Sequence, residues 1–433
     1  MNQDINVSKS PIWQPFTQMK TAPAPLKVVR GKGVWLELEN GQKILDCISS
    51  WWVTIHGHSH PDLAETLYQQ AQQLEHVIFA GFTHEPAEKL ARKILSHLPQ
   101  SLTRVFFSDN GSTSVEVALK MAYQYWRNRG EPNRTRFLGF EGGYHGDTVG
   151  AMSVGRSSTW WQPFYSLMFA TDVVPFPATF DGDENVEIKE NKALEKIEAY
   201  LKKRGEQYAG IFIEPLVQGA GGMRICRPEF LQKLQQLARQ FGILLIYDEV
   251  MTGFGRTGEL FACLKSQTNP DLLCLSKGIS GGCLPLSVTI SSEEIYQAFY
   301  NDQPQQAFLH GHSYTGNPLA CSVGVKSLEL LEQNPLYQNL ESQHRYFLNK
   351  WLADHPLIEN TRICGTISAM EVKTETETGY FNAIAPILKA RFLEEGFLLR
   401  PLGNTIYMMP PYCITPDELE SIYQVIRRVL DSL

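Results

Sequence analysis

The sequence predicts an α/β protein: a large domain on a mainly parallel sheet covered on both faces, with a smaller α+β domain beside it. Three observations carry this. From about residue 62 to residue 316, brief apolar runs alternate with helical stretches, as parallel strands joined by covering helices do. Beyond the Gly316–Asn317–Pro318 punctuation the character changes, and short strands mix with helices without that alternation. The 433 residues also exceed what one small core organises.

In chain order, residues 1–60 read as an irregular arm followed by short strands, Lys27–Arg30 and Val34–Leu38, around a turn at Asn40–Gly41. Val105–Phe107 is a strand. The turn Asp109–Thr113 follows it, then a helix with Val115, Ala118, Leu119, Ala122 and Trp126 on one face. Further strands are expected at Phe137–Phe140, Ile211–Ile213, Leu244–Tyr247 and Leu272–Leu275. Helices such as Phe230–Phe241, closed by Gly242, separate them. The acidic stretch Phe180–Asn191 reads as a solvated loop. A long helical segment at about 319–352 leads to strands Ile367–Val372 and Thr405–Met409 and helices near Ala383–Glu395 and Pro416–Leu430. No internal repeat is visible.

Apolar residues at 43% and charged residues at 20% describe an ordinary globular chain. The net charge of −7 argues against a nucleic-acid binder, which would carry clustered Lys and Arg. No apolar run approaches membrane-spanning length, and the polar start Met1–Asn6 does not resemble a signal peptide, so a cytoplasmic protein is expected. The eight cysteines are scattered without a CxxC pair, which suits free thiols in a reducing compartment. His56–Gly57–His58–Ser59–His60 could place alternate imidazoles on one strand face, but its Gly and the following Pro61 indicate a loop, and no metal is expected there.

The chemistry concentrates at strand ends. Lys277 follows the strand Leu272–Leu275, and Asp248 ends the strand before it. Pyridoxal phosphate needs a lysine amine to form an imine with its aldehyde and a carboxylate to keep its pyridine nitrogen protonated. In an open parallel sheet both groups arrive where ligands bind. Either residue alone could be an ordinary surface group; their surroundings give the pair force. The turn Asp109–Asn110–Gly111–Ser112–Thr113 offers backbone N–H groups at a helix N-terminus, either a phosphate site or a plain capping turn of Ser112 or Thr113 with Glu116. In Glu141–Asp147, glycines permit close approach and Tyr144 could lie on a flat ring or serve the core. Glu214 ends another strand and could pair with Arg256, or leave that arginine to a substrate carboxylate. His310–Pro318 is a hydroxyl-bearing loop flanked by glycines.

Taken in order, Asp109–Ser112, Gly143–Gly146, Tyr247–Val250, Gly253–Gly258, Ser276–Gly278 and Thr315–Pro318 resemble the class III pyridoxal phosphate aminotransferases over nearly the whole chain. The resemblance implies fold type I, with a seven-stranded large-domain sheet, and a homodimer with active sites at the interface. It implies 1–60 as arm and part of the small domain, 61–320 as the large cofactor-binding domain, and 321–433 as the C-terminal small domain. Lys277 would be the catalytic lysine, Asp248 the partner of the pyridine nitrogen, and Tyr144 the residue stacked on the ring. Gly111 and Ser112 would hold the phosphate, with Ser313 of the partner subunit.

The arm Ile12–Met19, the pair Trp51–Trp52, the blocks Gln124–Trp126 and Gln218–Met223, and Leu399–Gly403 look like the branch of that class that aminates 8-amino-7-oxononanoate in biotin biosynthesis. That acceptor needs an apolar channel ending in a cation. Trp51 and Trp52 would supply wall and Arg400 the carboxylate fork, with Arg256, Gly311 and Tyr144 also touching substrate. Because neighbours on a strand point oppositely, one of the two tryptophans could instead serve the core or the dimer interface. The resemblance implies ping-pong transfer through pyridoxamine phosphate with S-adenosylmethionine as donor. Phe16 stands where relatives using that donor carry Tyr, and His312–Thr315 resembles enzymes that take lysine, so lysine stays open as donor. Another class III enzyme, an ω-amino acid aminotransferase or an aminomutase, and a cofactor-binding regulator without turnover, are the competing readings.

Overall fold

The structure, a computed structural model, describes residues 10–155, 159–375 and 382–433. The polar start Met1–Asn6 lies outside the described residues.

The large sheet has seven strands in the order Leu102–Ser108, Ser287–Ser292, Leu272–Leu275, Leu244–Asp248, Tyr208–Ile213, Arg136–Phe140 and Thr171–Val174. Ser287–Ser292 runs antiparallel to both neighbours, and every other pairing is parallel. The three central strands Tyr208–Ile213, Leu244–Asp248 and Leu272–Leu275 are buried at every position. A sheet covered on both faces demands such continuous apolar runs, and this made those strands legible. Ser287–Ser292 and Thr171–Val174 were not anticipated. The first hides because Ser287 and Thr289 sit fully buried without being apolar. Thr289 resolves this by donating its hydroxyl to the Ser114 carbonyl at 2.7 Å, on the helix Gly111–Asn128.

A second sheet joins the two ends of the chain. Val28–Lys32, Trp35–Leu38 and Lys43–Asp46 form an antiparallel meander, and Phe397–Leu398 adds in parallel beside Leu45–Asp46. A third, antiparallel sheet of Ile358–Cys364, Ile367–Val372 and Thr405–Met408 lies near the helices Leu340–Trp351 and Pro416–Asp431. Among the described residues no helix is long and apolar enough to cross a membrane.

Two expectations are corrected. The segment 319–352 is not one helix but two, Pro318–Gln333 and Leu340–Trp351. Pro335 lacks an N–H and disfavours the helical region for the residue before it, and Asn334 accordingly leaves the helix at φ −144°, ψ 85°. The stretch Phe180–Asn191 is not all loop, because the helix Val186–Arg204 starts inside it. Its acidic composition concealed a structural group. Glu190, fully buried, takes both Nε and Nη2 of Arg227, at 2.8 and 2.9 Å.

Candidate active site

The carboxyl ends of the central strands open into a cavity of about 730 Å³. Lys277 lines it, two residues beyond the strand Leu272–Leu275, with a positive φ of 46° that turns the chain sharply. Its Nζ lies 4.8 Å from the centre of the Trp52 ring and makes no hydrogen bond or ion pair with any described residue. Burial lowers its pKa to about 8, outweighing the upward pull of the Asp248 and Glu214 carboxylates. Near neutral pH a useful fraction of this amine is uncharged, the form that attacks an aldehyde.

Asp248 also faces the cavity, only 4% exposed. Its Oδ2 lies 2.7 Å from His145 Nδ1, and its Oδ1 accepts from the Val250 N–H at 3.0 Å. Burial drives the His145 pKa down, but the hydrogen bond and charge of Asp248, helped by Glu214, carry it above its ordinary value. Glu214 accepts backbone N–H groups from Tyr144 and Gly219, both at 2.9 Å, and burial raises its pKa to about 7. One carboxyl thus pins the Tyr144 loop and the loop after its own strand to a common point.

At the other end of the cavity, Asn110 and Thr113 cap the helix Gly111–Asn128 reciprocally, at 3.1 Å in each direction. Capping thus occurs, but through Asn110 and Thr113 rather than through Ser112 or Thr113 with Glu116, whose carboxylate instead accepts the Gly150 and Ala151 N–H groups. It spends the Thr113 N–H and leaves Gly111 and Ser112 as the helix's leading residues at the cavity wall. The Ser112 hydroxyl pairs with Thr148 Oγ1 at 2.7 Å and accepts the Thr148 N–H at 3.0 Å. A Cβ on Gly111 would stand 2.5 Å from Val250 Cγ1, and one on Gly146 2.3 Å from Ser112 Oγ, so only glycine permits these approaches. Tyr144 donates its hydroxyl to Asp147 at 2.9 Å, and its ring stacks on Trp161 at 5.8 Å and 18°. An unpaired buried amine, a buried carboxylate, an aromatic ring and a helix N-terminus bordered by hydroxyls around one cavity fit pyridoxal phosphate. Thr252 Oγ1, buried at the same wall without a hydrogen-bond partner, adds an orphaned polar atom there.

Trp51 and Trp52 both reach this cavity, but not from a strand. They sit on an irregular turn, Ser49–Trp52, so the alternation expected of strand neighbours does not apply. Trp52 is 5% exposed, with Nε1 donating to the Tyr407 hydroxyl at 3.0 Å. Trp51 is 42% exposed, between the Phe16 ring at 5.6 Å and the Arg400 guanidinium at 4.6 Å. Arg400 thus meets the site through Trp51. The expected pairing of Glu214 with Arg256 is absent. Arg256, 1% exposed, is not at the cavity wall, and it donates to the carbonyls of Pro410 at 3.1 Å and Trp52 at 3.4 Å. Gly311 and Ser313 lie on an exposed loop and do not line the cavity.

Sequence reasoning missed His145 as the partner of Asp248 and Asp147 as the anchor of Tyr144. The three-residue spacing of Tyr144 and Asp147 in a glycine-flanked loop was a usable signal; nothing in the sequence ties His145 to Asp248. Of the histidines of 56–60, His56 turns to Ser327 at 3.0 Å and His58 to Asp46 at 2.8 Å, while the His56 and His60 rings meet edge to face at 5.9 Å. Among the described residues no group of His, Cys, Asp or Glu is arranged to hold a metal ion.

Fold and site together define a pyridoxal phosphate-dependent enzyme of fold type I. The chain belongs to the class III aminotransferases: the family described as Aminotransferase class-III matches residues 16–430. It is 52% identical over 423 residues to adenosylmethionine-8-amino-7-oxononanoate aminotransferase of Synechococcus elongatus, covering 98% of this chain and 99% of that protein. The protein of the same name from Anoxybacillus flavithermus is 36% identical, covering 99% and 97%. Among solved structures, that of the Methanocaldococcus jannaschii protein of this name superposes with a TM-score of 0.90 at 33% identity, covering 98% of this chain and 97% of that one. An amine transaminase from an uncultivated Pseudomonas species, solved in its PLP-bound form, gives 0.92 at 28% identity, covering 98% and 99%. The protein is therefore an aminotransferase that works with pyridoxal 5'-phosphate.

Proposed function

We propose that this aminotransferase converts 8-amino-7-oxononanoate to 7,8-diaminononanoate in biotin biosynthesis, with S-adenosylmethionine as amino donor. The observation that carries the reading is the cavity mouth. Trp51 and Trp52 give an apolar wall, and Arg400 lies against the outer tryptophan, where the carboxylate of a long aliphatic acid would end. The names borne by the relatives from S. elongatus and A. flavithermus support it.

Bound pyridoxal phosphate supplies an aldehyde and an electron-withdrawing ring that eases removal of a proton from the substrate's amine-bearing carbon. In this reading Lys277 Nζ, poised by burial, takes that proton and returns it. Asp248 would hold the ring nitrogen's proton, with His145 behind it keeping the carboxylate aimed. Tyr144, fixed by Asp147 and Glu214, orients the ring plane and borders the substrate. Gly111 and Ser112 would hold the phosphate, with Thr148 orienting the serine hydroxyl.

The active unit in this reading is a cytoplasmic homodimer, where Ser313 of the partner subunit completes the phosphate site and Gly311 borders the substrate. The exposed apolar residues Leu309 and Tyr314 on that loop, with Ile78 and Phe82 nearby in sequence to His76, which touches Tyr314, support a covered surface. One observation favours lysine as donor instead: Phe16 brings a ring to Trp51 but no hydroxyl.

The test mixes holoenzyme separately with S-adenosylmethionine and with lysine, follows the bound cofactor's visible spectrum, then adds the keto acid and measures 7,8-diaminononanoate by mass spectrometry. S-adenosylmethionine should change the spectrum and yield product. Response to lysine alone reassigns the donor. Product from neither, with turnover of pyruvate or 2-oxoglutarate, makes it an ω-amino acid aminotransferase.

A further inference from the structure

The Ser49–Trp52 turn is held in an uncommon backbone. Ser49, Ser50 and Trp52 have φ of 50°, 60° and 66°, a left-handed region that residues with side chains seldom enter, and Ser50 has ψ −86°. Such a turn persists only where its surroundings over-determine it. Here one carboxylate does most of this. Asp46, fully buried at the end of the strand Lys43–Asp46, accepts the Ile48 N–H on Oδ1 at 3.1 Å. Its Oδ2 accepts the Ser50 N–H at 2.7 Å and the Ser50 hydroxyl at 3.1 Å. The remaining donor is His58, whose Nε2 stands 2.8 Å from the same Oδ2 and so carries the proton it donates.

His58 is itself clamped. Its backbone exchanges hydrogen bonds with Gly33, at 3.1 and 2.7 Å. A Cβ on Gly31 would stand 2.7 Å from His58 Cβ, and one on Gly57, where φ is +87°, 2.6 Å from Cys413 Sγ. The imidazole has little freedom to leave Asp46.

We propose that Asp46 and His58 are a positioning pair for the acceptor: Asp46 holds the tryptophan turn, His58 anchors Asp46, and together they set where Trp51 and Trp52 stand along the substrate channel. The proposal rests on the functional reading above for the identity of the acceptor. It gives a task to the histidine run that the chemistry leaves unused. Neither Asp46 nor His58 lines the cavity or bonds to Lys277 or Asp248, so the pair acts on binding more than on turnover.

The experiment measures KM and kcat for His58→Ala, His58→Gln and Asp46→Asn holoenzymes. Loss of a hydrogen bond to a charged group predicts about a tenfold rise in KM for 8-amino-7-oxononanoate in His58→Ala, with kcat within about twofold. His58→Gln, whose amide nitrogen reaches close to the place of Nε2, should restore KM to within about threefold of the parent. Asp46→Asn, which turns a donor toward the Ser50 N–H, should raise KM further than His58→Ala. An unchanged KM in His58→Ala overturns the proposal, as does a His58→Gln enzyme no better than His58→Ala. If the parent enzyme ignores 8-amino-7-oxononanoate, the functional reading falls; the same variants measured with the acceptor it does take still decide the pair's role.

Discussion

The floor and the rim of the cavity are built on opposite plans. The floor groups Asp248, Glu214 and Lys277 stand on or just beyond central strands that are buried at every position, and Asp248 and Glu214 are each fastened by two hydrogen bonds. The rim groups Phe16, Trp51 and Arg400 come from the chain's outer segments, and Phe16 and Trp51 are 53% and 42% exposed. In the reading proposed above, the floor carries what every reaction of the class needs and the rim what one substrate needs. Damage to the floor should therefore appear in kcat, and damage to the rim in KM.

The largest break would come at Lys277. Lys277→Ala should lose the bound cofactor's characteristic visible absorbance and reduce turnover by more than about 10⁴-fold; a variant that keeps both would take Lys277 out of the chemistry. Asp248→Asn keeps the shape but not the charge, and should lower kcat about a thousandfold with KM little changed. An equal loss in KM alone would make Asp248 part of the rim. At the rim, Arg400→Ala should raise the keto-acid KM by roughly 30-fold while kcat stays within about threefold, as removal of a carboxylate partner does; an unchanged KM would remove Arg400 from that role.

The pH dependence sharpens the contrast. Lys277 titrates near 8, so as pH falls below that a growing share of its amine is protonated and unreactive, and above it most of the amine is free. Uptake of pyridoxal phosphate by cofactor-free protein should quicken about tenfold per pH unit below 8 and level off above it. A rate still climbing at pH 10 would mean an ordinary, unperturbed lysine. The smallest effect is expected at Phe16→Tyr, which returns one hydroxyl to the rim. It should lower the KM for S-adenosylmethionine by about threefold and leave that for the keto acid alone.

The same contrast governs what the sequence disclosed. Central parallel strands must be apolar throughout and end where the ligand lies, so Asp248, Glu214 and Lys277 could be placed at strand ends from residue order alone. The Asp109–Ser112 turn announced itself by its glycine and hydroxyls. Hidden were features settled by partners far away in the chain. Ser287–Ser292 looked too polar for a buried strand until Thr289 found the Ser114 carbonyl. Arg256 suggested a substrate fork, but it is sunk among the carbonyls of Trp52 and Pro410. His145 gave no sign of its bond to Asp248, 103 residues away. In each case the deciding contact links segments whose meeting only the assembled fold defines.

The parallel pairing of Phe397–Leu398 with Leu45–Asp46 fixes an order of events when the chain is made. The tryptophan turn leans on the last part of the protein: Ser49 donates its hydroxyl to the Met409 carbonyl, 360 residues away. Strand pairing over so long a span closes a large loop and is slow to form. On a ribosome the lysine-bearing sheet can assemble while the C-terminal strands are still being synthesised. The Trp51–Trp52 wall, to which the proposed reading gives the task of sorting substrates, is therefore completed only after residue 409 emerges, later than the sheet that leads to Lys277.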